Sequence, residues 1–375
     1  MKHQKHAKMN RRTMGNFAPN EVAIMGTTCG DIKSFVGELT HRLSRRNPAF
    51  LDMDHKSDEE ELNKSILGDA TTQVTDKVNF HRIDALHAYN DFEKRKFFHY
   101  NDLVFVNGNH YKAAKQLLFI DDRKPLIKKL AKITNPICVI FSKGVNEIPE
   151  ELLSEKPELK NLPHYSLDDE DVLDSIATFL DKTFTTPPLK GLVLTGGKST
   201  RMGEDKSVLN YHGQPQWKYA KELLEKYCSE VHVSVASESD TYQEASQIAD
   251  KFIGLGPMGG ILSAFQNDPN AAWLVIACDL PLLSEHSLDQ LVSNRNSNKV
   301  ATSFKSPTMD FPEPLICIWE PKAYGTLLEY LSWGYSCPRK ALINSDIELL
   351  IADKEEEMVN ANTKEDFNEI KAKLK

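Results

Sequence analysis

Short apolar runs alternate with amphipathic stretches along the first half of the chain. β-branched and other apolar residues fill these runs, and polar residues bound them, which predicts buried strands of the kind found in parallel sheets. The runs are EVAIMG at 21–26, AFLDMD at 49–54, DLVFVNGN at 102–109 and PICVIFS at 136–142. Apolar residues recur at helical spacing over 34–46 and 167–182, and these two stretches are predicted to be helices.

The second half repeats this alternation. Its apolar runs predict strands at 191–196, 230–236, 271–281 and 315–319. Helices are predicted over 214–228, 256–267 and 284–294, and Thr363 is placed to cap a last helix at its N-terminus. Strands that alternate with helices predict an α/β fold, so we expect two three-layer α/β domains with mostly parallel sheets.

The boundary between the two blocks is predicted at a stretch without periodicity. The sequence TTPP at 185–188 cannot propagate a helix and favours an extended connector. We therefore predict a linker at 183–188, a first domain at 19–182 and a second domain at 189–375. The basic N-terminal residues 1–18 are interpreted as a disordered tail.

Composition narrows the function classes. The formal net charge of −8 argues against a nucleic-acid partner, which usually meets a basic excess. No apolar run reaches the roughly 18 residues of a membrane span, so no membrane partner is expected. The six cysteines form no C-x-x-C pair, which in a chain of 375 residues indicates the reducing cytoplasm. The six histidines between positions 41 and 110 and the acidic run at 57–61 lack the spacing of a metal site.

The turn TGG at 195–197 follows a predicted strand of the second block. Ligands of open α/β sheets bind beyond the carboxyl ends of strands, and residues without Cβ let a ligand approach the backbone closely. Arg201 and Lys206 follow, and both suit phosphate charge. The stretch therefore predicts a nucleoside triphosphate site. A tight turn followed by surface cations is the simpler interpretation of the same residues. It is neither a G-x-G-x-x-G motif nor a P-loop.

Two further elements accompany this turn. Asp279 ends a predicted strand, where a carboxylate can hold Mg²⁺ together with phosphate oxygens. Gly256, Gly259 and Gly260 permit close approach of a ligand. A turn or helix-capping aspartate and a glycine-rich packing contact are the simpler alternatives.

Taken together, these motifs resemble the molybdenum cofactor guanylyltransferase family, within the nucleotidyltransferases with a Rossmann-like fold. The matching stretches are LTGGKSTRMGEDK at 194–206, GPMGG at 256–260, CDLP at 278–281 and NANT at 360–363. They occur in the family's order and span most of 189–375. Thr195 stands where the family has a small residue, which weakens the prediction of base preference.

The resemblance implies Mg²⁺-dependent transfer of GMP from GTP to molybdenum-molybdopterin, with release of pyrophosphate. It also implies roles for individual residues. Arg201, Lys206 and Asp279 would be catalytic, and Asp279 would hold the metal. The nucleotide site would comprise Leu194, Thr195, Gly196, Gly197, Lys206, Asp250, Gly256 and Asp279. The pterin substrate would meet Asn360 and Asn362.

Two alternatives stay open at this point. One is transfer of a cytidylyl or other nucleotidyl group to a different phosphorylated acceptor. The other is a non-enzymatic protein that binds nucleotide or cofactor. Molybdenum enzymes or other cofactor-synthesis proteins are the expected macromolecular partners.

The first block resembles the GTP-binding adaptor protein of molybdopterin guanine dinucleotide synthesis, but only loosely. GTTCGDIKS at 26–34 is similar to a Walker A loop with the wrong spacing. If Gly26 is aligned with the first glycine of that motif, Ile32 takes the place of its lysine. Asn107 stands where the adaptor family has an acid. We therefore expect a P-loop-like domain with a degenerate Walker A loop; an unrelated α/β domain is the alternative.

Overall fold

A computed structural model describes residues 9–54, 70–184, 186–195 and 205–374. The chain divides into two compact units, each with its own sheet. The N-terminal unit is Met14–Thr185, and the C-terminal unit is Thr186–Lys375 together with Met1–Thr13. Both units are α/β, as the alternation of strands and helices predicts.

The N-terminal unit is built on a six-stranded sheet in which every paired neighbour is parallel. Its strands, with those of a separate antiparallel hairpin (β3 and β4), are β1 Glu21–Met25, β2 Pro48–Leu51, β3 Thr72–Asp76, β4 His81–Ala85, β5 Leu103–Asn107, β6 Lys115–Ile120, β7 Pro136–Phe141 and β8 His164–Ser166. The strand order in the sheet is β2-β5-β1-β6-β7-β8. The sequence reading missed the hairpin, β6 and β8.

The α-helices of this unit are α1 Cys29–Thr40, α2 Asp91–Lys94, α3 Glu150–Glu155 and α4 Val172–Thr183. Short 3₁₀ turns occur at Leu126–Lys132 and Pro157–Asn161. Helix α1 begins five residues before the predicted start at 34. Thr28 is the reason, because its side chain accepts a hydrogen bond from the Asp31 N–H and caps the helix there.

The predicted disordered tail is wrong for its last residues. Phe17 is 1% exposed and packs edge-on against Tyr111. The buried carboxylate of Glu21 accepts hydrogen bonds from the N–H groups of Asn16 and Phe17, at 2.8 and 2.7 Å. A buried acid that needs these donors fixes the preceding chain. Further upstream, the Thr13 N–H donates to Asn270 in the C-terminal unit at 2.6 Å. Residues 1–8 of the predicted tail lie outside the described part of the chain.

The C-terminal unit is built on a seven-stranded sheet. Its strands are β9 Leu189–Leu194, β10 Val231–Val235, β11 Ser246–Ala249, β12 Ala272–Ala277, β13 Ala301–Lys305, β14 Pro312–Trp319 and β15 Glu348–Leu350. The order is β11-β10-β9-β12-β14-β13-β15. β14 runs antiparallel to both of its neighbours, and the remaining pairs are parallel, so the sheet is mostly parallel.

The α-helices of this unit are α5 Gln216–Leu224, α6 Pro257–Asn267, α7 Glu285–Ser293, α8 Ala323–Ser332, α9 Pro338–Ile343 and α10 Lys364–Lys373. Short 3₁₀ turns lie at Lys206–Val208, Asp240–Tyr242 and Glu355–Met358. The predicted cap at Thr363 is confirmed. Thr363 accepts from the Asp366 N–H while the Asp366 carboxylate accepts from the Thr363 N–H, which is a capping box.

Each main sheet buries both of its faces. In β9, Val193 belongs to one apolar cluster while Leu192 and Leu194 belong to another on the opposite face. In β1, Ile24 and Met25 divide between two clusters in the same way. Successive strand residues point to opposite faces, so this division places helices on both sides of each sheet. Within the described ranges, no helix is long and apolar enough to span a bilayer.

Candidate active site

The carboxyl edge of the C-terminal sheet collects the residues that the sequence singled out. Leu194 at the end of β9 lies opposite Ser234 in β10 and Ala277 in β12. The Cys278 N–H donates to the Leu194 carbonyl at 3.2 Å. The chain therefore brings the segment after β9 and the segment after β12 to the same edge, beside each other.

Thr195, Ser234 and Asp250 form one hydrogen-bonded chain on the β10 side of this edge. The Thr195 hydroxyl donates to the Ser234 carbonyl at 2.6 Å, and the Ser234 hydroxyl donates to the Asp250 carboxylate at 3.2 Å. Burial raises the pKa of Asp250, and the Ser234 hydrogen bond partly opposes this. The Thr195 hydroxyl thus links the ends of β9 and β10, and the Ser234 hydroxyl holds the Asp250 carboxylate beside them.

The glycine turn itself lies outside the described residues. Gly196, Gly197 and Arg201 fall within 196–204, so their predicted roles rest on the sequence alone. The described chain resumes at Asp205.

A polar network fixes the backbone just before and after Lys206. The Asp205 carboxylate accepts hydrogen bonds from the Ser207 N–H at 2.9 Å and the Ser207 hydroxyl at 2.8 Å. Tyr242 donates to the same carboxylate at 3.3 Å, and its hydroxyl lies 2.7 Å from that of Ser207. Ser207 is fully buried. Because both neighbours are anchored, the position from which the Lys206 side chain extends is fixed.

Lys206 meets two other predicted site residues. Its ammonium donates to Asn362 Oδ1 at 2.7 Å and lies 3.9 Å from Asp279 Oδ2. The side chains of Lys206 and Asp279 are 22% and 23% exposed, so this contact is accessible from solvent without being fully hydrated. The structure therefore unites a cation, an anion and an amide predicted from three distant motifs.

Asp279 keeps one carboxylate oxygen without a partner. Oδ1 is buried and has no hydrogen-bond partner among the described residues. Burial raises the pKa of Asp279, Lys206 opposes that rise and Glu313 adds to it. A desolvated carboxylate with an unused oxygen is costly unless a cation or donor reaches it. This fits a metal ion that takes one carboxylate and completes its shell with phosphate and water oxygens.

The predicted pterin residues are held beside Asp279 by the backbone. The Ala361 N–H donates to the Asp279 carbonyl at 2.8 Å, and the Asn362 N–H donates to the Asp366 carboxylate at 2.8 Å. Asn360 and Asn362 are both exposed. The capping box of α10 thus orients the loop that presents these two amides.

The glycines at the start of α6 have a packing role. A Cβ on Gly260 would lie 2.5 Å from the Ser234 hydroxyl, and one on Gly259 would lie 2.5 Å from the Phe252 carbonyl. Close packing, which the sequence offered as the simpler interpretation, therefore explains glycine at both 259 and 260. Gly256 adopts a φ of +55° at the position that caps α6. That conformation favours glycine and sets the direction in which the helix leaves the loop.

Several polar residues of this edge were missed by the sequence reading. Tyr242 and Ser207 are two, and Arg339 in α9 is a third. The Arg339 guanidinium lies 3.7 Å from Glu313, and its buried Nε has no partner among the described residues. The negative charge of Glu313 in turn raises the pKa of Asp279. No local motif surrounds these residues, so only the fold reveals them.

No group of three or more potential metal-ligating side chains occurs in the parts of the chain that the structure describes. A metal at this edge would therefore depend on Asp279 and on ligand oxygens rather than on a protein cage.

The corresponding edge of the N-terminal unit is arranged differently. Ile32, at the place of the Walker lysine, is fully buried in the core. Asn107, at the place of the family's acid, is also buried and donates to Asp52 at 2.7 Å. Arg123 contacts both Asp31 and Asp121, at 2.8 and 2.7 Å. Helix α1 begins at Cys29, directly after the turn, and the degenerate phosphate loop stays a prediction.

Comparison with known proteins agrees with the geometry of the second unit. The MobA-like NTP transferase domain matches residues 191–344. Lys206 and Asp279, one oxygen of which has no hydrogen-bond partner among the described residues, lie at one sheet edge within this domain. The match to this domain defines the chain as a nucleotidyltransferase.

Two curated relatives show which kind of nucleotidyltransferase the chain is similar to. The chain is 31% identical over 190 residues to the molybdenum cofactor guanylyltransferase of Xanthomonas euvesicatoria, covering 49% of this chain and 94% of that protein. It is 37% identical over 186 residues to the molybdenum cofactor biosynthesis bifunctional protein of Synechocystis sp., covering 49% of this chain and 54% of that protein. The chain belongs to the molybdenum cofactor guanylyltransferase family. It spans about half the length of the Synechocystis relative.

A solved structure is also similar to the chain. It is the molybdopterin-guanine dinucleotide biosynthesis protein A of Archaeoglobus fulgidus, with 24% identity and a TM-score of 0.42. The similarity covers 49% of this chain and 97% of that one.

Proposed function

We propose that the C-terminal unit transfers GMP from GTP to molybdenum-molybdopterin and releases pyrophosphate. One observation carries this proposal: Lys206, Asp279 and Asn362 converge at a single point of the sheet edge. The name of the Xanthomonas relative specifies guanylyl transfer and the molybdenum cofactor.

The reaction needs no protein nucleophile. The terminal phosphate of the pterin attacks the α-phosphorus of GTP, a new P–O bond forms, and the bond to the β-phosphate breaks with its electron pair on the departing pyrophosphate. Catalysis then depends on alignment of the two substrates and on stabilisation of negative charge.

Lys206 and Asp279 have different electrostatic roles in the proposed reaction. In the proposal, the Lys206 ammonium contacts the triphosphate, and Arg201 has the same role by its motif. Asp279 Oδ1, which lacks a partner among the described residues, is the atom that would hold Mg²⁺. Bound there, Mg²⁺ would supply Lewis-acid stabilisation of the phosphate oxygens.

The substrates occupy opposite sides of this pair in the proposal. On the β10 side, Leu194, Thr195 and Asp250 receive the guanosine together with the glycine turn. Their support is the hydrogen-bonded chain that orients Asp250 at the strand end. On the α10 side, Asn360 and Asn362 receive the pterin. Since Asn362 already bonds to Lys206, the pterin phosphate would arrive next to the cation.

Pyrophosphate release measured with GTP, Mg²⁺ and molybdopterin tests the proposal. We expect release with GTP, little with CTP, and loss of release in Asp279→Ala and Lys206→Ala, with circular dichroism showing that both variants fold. Faster release with CTP would replace the guanylyl assignment with cytidylyl transfer. Binding of GTP and pterin without any release would indicate a non-enzymatic binding protein.

A further inference from the structure

Cys29 and His110 are in contact at the carboxyl edge of the N-terminal sheet. Cys29 is the first residue of α1, directly after β1, and His110 follows β5. These strands are parallel neighbours with Ile24 opposite Asn107, so the segments that follow them meet. Cys29 Sγ lies 3.3 Å from His110 Nε2. Neither residue has a role in the proposed transfer.

An amide donor lies beside this sulfur, and two ammonium groups hold that amide in place. Asn109 Nδ2 lies 3.7 Å from Cys29 Sγ and also donates to the Thr27 carbonyl at 3.2 Å. The Lys129 ammonium donates to Asn109 Oδ1 at 2.8 Å, and that of Lys132 donates to the Asn109 carbonyl at 3.0 Å. The amide is therefore held with its NH₂ group toward the sulfur.

The nearest carboxylate along the chain, Asp31, is already engaged by other groups. Asp31 accepts hydrogen bonds from Thr28 at 2.6 Å and from Arg123 at 2.8 Å. A thiol at the N-terminus of a helix, beside an imidazole and fixed amide and ammonium groups, lies in the electropositive setting in which cysteines act as nucleophiles.

The other cysteines differ from Cys29. Cys138 and Cys317 are buried in strands, Cys278 is buried directly after β12, and burial raises the pKa of Cys138 to about 12. Burial likewise raises the pKa of the partly exposed Cys228 to about 12. Cys337 is exposed and provides an internal reference for an accessible thiol. Cys29 combines partial exposure with an imidazole partner.

We propose that Cys29 and His110 form a nucleophilic thiol–imidazole pair that reacts with the electrophilic sulfur of a disulfide. The thiol proton passes to His110 Nε2, and the Cys29 sulfur attacks one sulfur of the disulfide. The S–S bond of the disulfide breaks, a mixed disulfide to Cys29 forms, and the second sulfur leaves as a thiolate with the electron pair. The pair is thus a modification site for a disulfide-containing molecule.

Kinetic labelling of the full chain with dithiodipyridine tests this site. The reagent is a neutral disulfide that releases a coloured thiopyridone, and mass spectrometry of quenched samples assigns each modified cysteine. We expect Cys29 to react about tenfold faster than Cys337, although Cys337 is the more exposed. We expect His110→Gln to slow Cys29 to about the rate of Cys337, and the matched control His81→Gln to leave the rate unchanged.

Two results would overturn the proposal. One is a Cys29 rate no greater than that of Cys337 in the unmodified chain, which needs no variant to fold. The other is an unchanged Cys29 rate in a folded His110→Gln protein. Cys29→Ser should leave pyrophosphate release unchanged, so failure of this inference and failure of the guanylyl proposal are separable.

Discussion

The carboxyl edges of the two sheets differ in how completely their charged side chains are paired. At the N-terminal edge, Arg123 is bonded to both Asp31 and Asp121, so each of these charged groups has a partner. At the C-terminal edge, one oxygen of Asp279 has no hydrogen-bond partner among the described residues, and the Lys206 ammonium lies 3.9 Å from the other oxygen. Similar sheets thus give different sites, because function depends on the side chains placed at the edge. Charges left incompletely paired are available to a ligand.

The largest expected effect separates the two edges by activity. Asp279→Ala or Lys206→Ala should lower guanylyl transfer on the order of a thousandfold, because each removes charge that stabilises the transition state. Arg123→Ala, which removes a cation from the other edge, should change it less than about twofold. Steady-state pyrophosphate release measures all three. Equal losses would mean that both edges serve the reaction.

A substitution in the predicted degenerate Walker A loop at 26–34 tests whether restoring its lysine gives nucleotide binding. Ile32→Lys restores the Walker residue by alignment but buries an ammonium in the core. It should lower the free energy of unfolding by about 3 kcal/mol or more, without creating nucleotide affinity. Chemical denaturation and GTP titration measure the two effects. A stable variant that gains GTP binding would show that the loop is competent.

A matched pair of glycine substitutions probes the packing behind each edge. In α6, a Cβ on Gly260 would lie 2.5 Å from Ser234 and 2.8 Å from Leu194, so Gly260→Ala should destabilise by about 1–3 kcal/mol. In α1, nothing lies within 4 Å of a Cβ on Gly37, so Gly37→Ala should stabilise by about 0.5–1 kcal/mol. Thermal unfolding of both variants checks the sign of each change.

Asn362→Ala tests the link between Lys206 and the pterin side. Loss of the 2.7 Å hydrogen bond should raise KM for molybdopterin about tenfold while KM for GTP changes little. The matched control is Asn344→Ala, since the Asn344 side chain donates to the Lys340 carbonyl at the end of α9. A larger effect on KM for GTP would place Asn362 on the nucleotide side.

The smallest expected effect is on the thermal stability of variants at Asp121 and Asp279, one carboxylate from each edge. Hydrogen bonding from Arg123 lowers the pKa of Asp121 to about 2. Its stabilising contribution is therefore present at neutral pH and is lost as pH falls through about 2. Burial raises the pKa of Asp279, so its ionised form costs stability at neutral pH, and this cost disappears at low pH. Asp121→Asn should lower Tm at pH 7, and Asp279→Asn should raise it.

Calorimetry at pH 7 and at low pH compares these variants with the unmodified protein. Changes of the same sign at pH 7 would contradict the contrast between the two edges.

The sequence predicts much of the scaffold and less of the site. Apolar runs locate β1, β5, β7, β9 and β12, because buried parallel strands are almost continuously apolar. Such runs do not encode direction, so the antiparallel β14 could not be recognised from LICIW at 315–319. The hairpin β3–β4 lacked a signal for a different reason: its residues are mostly exposed, and its alternation is weak.

Within the site, motifs locate single residues but not their contacts. Lys206 and Asn362 are 156 positions apart, and their hydrogen bond follows only from the order of the strands and the cap of α10. The support that Tyr242 gives to Asp205 is similarly non-local. The sequence near His110 gives no sign of its contact with Cys29, because the two residues are 81 positions apart.

Equilibrium titration of the full chain with GTP in the presence of Mg²⁺ tests the central claim most directly. We expect one GTP per chain, with binding weakened at least about tenfold by Lys206→Ala and unaffected by Arg123→Ala. Two GTP molecules per chain, or a single site lost in Arg123→Ala and retained in Lys206→Ala, would contradict it.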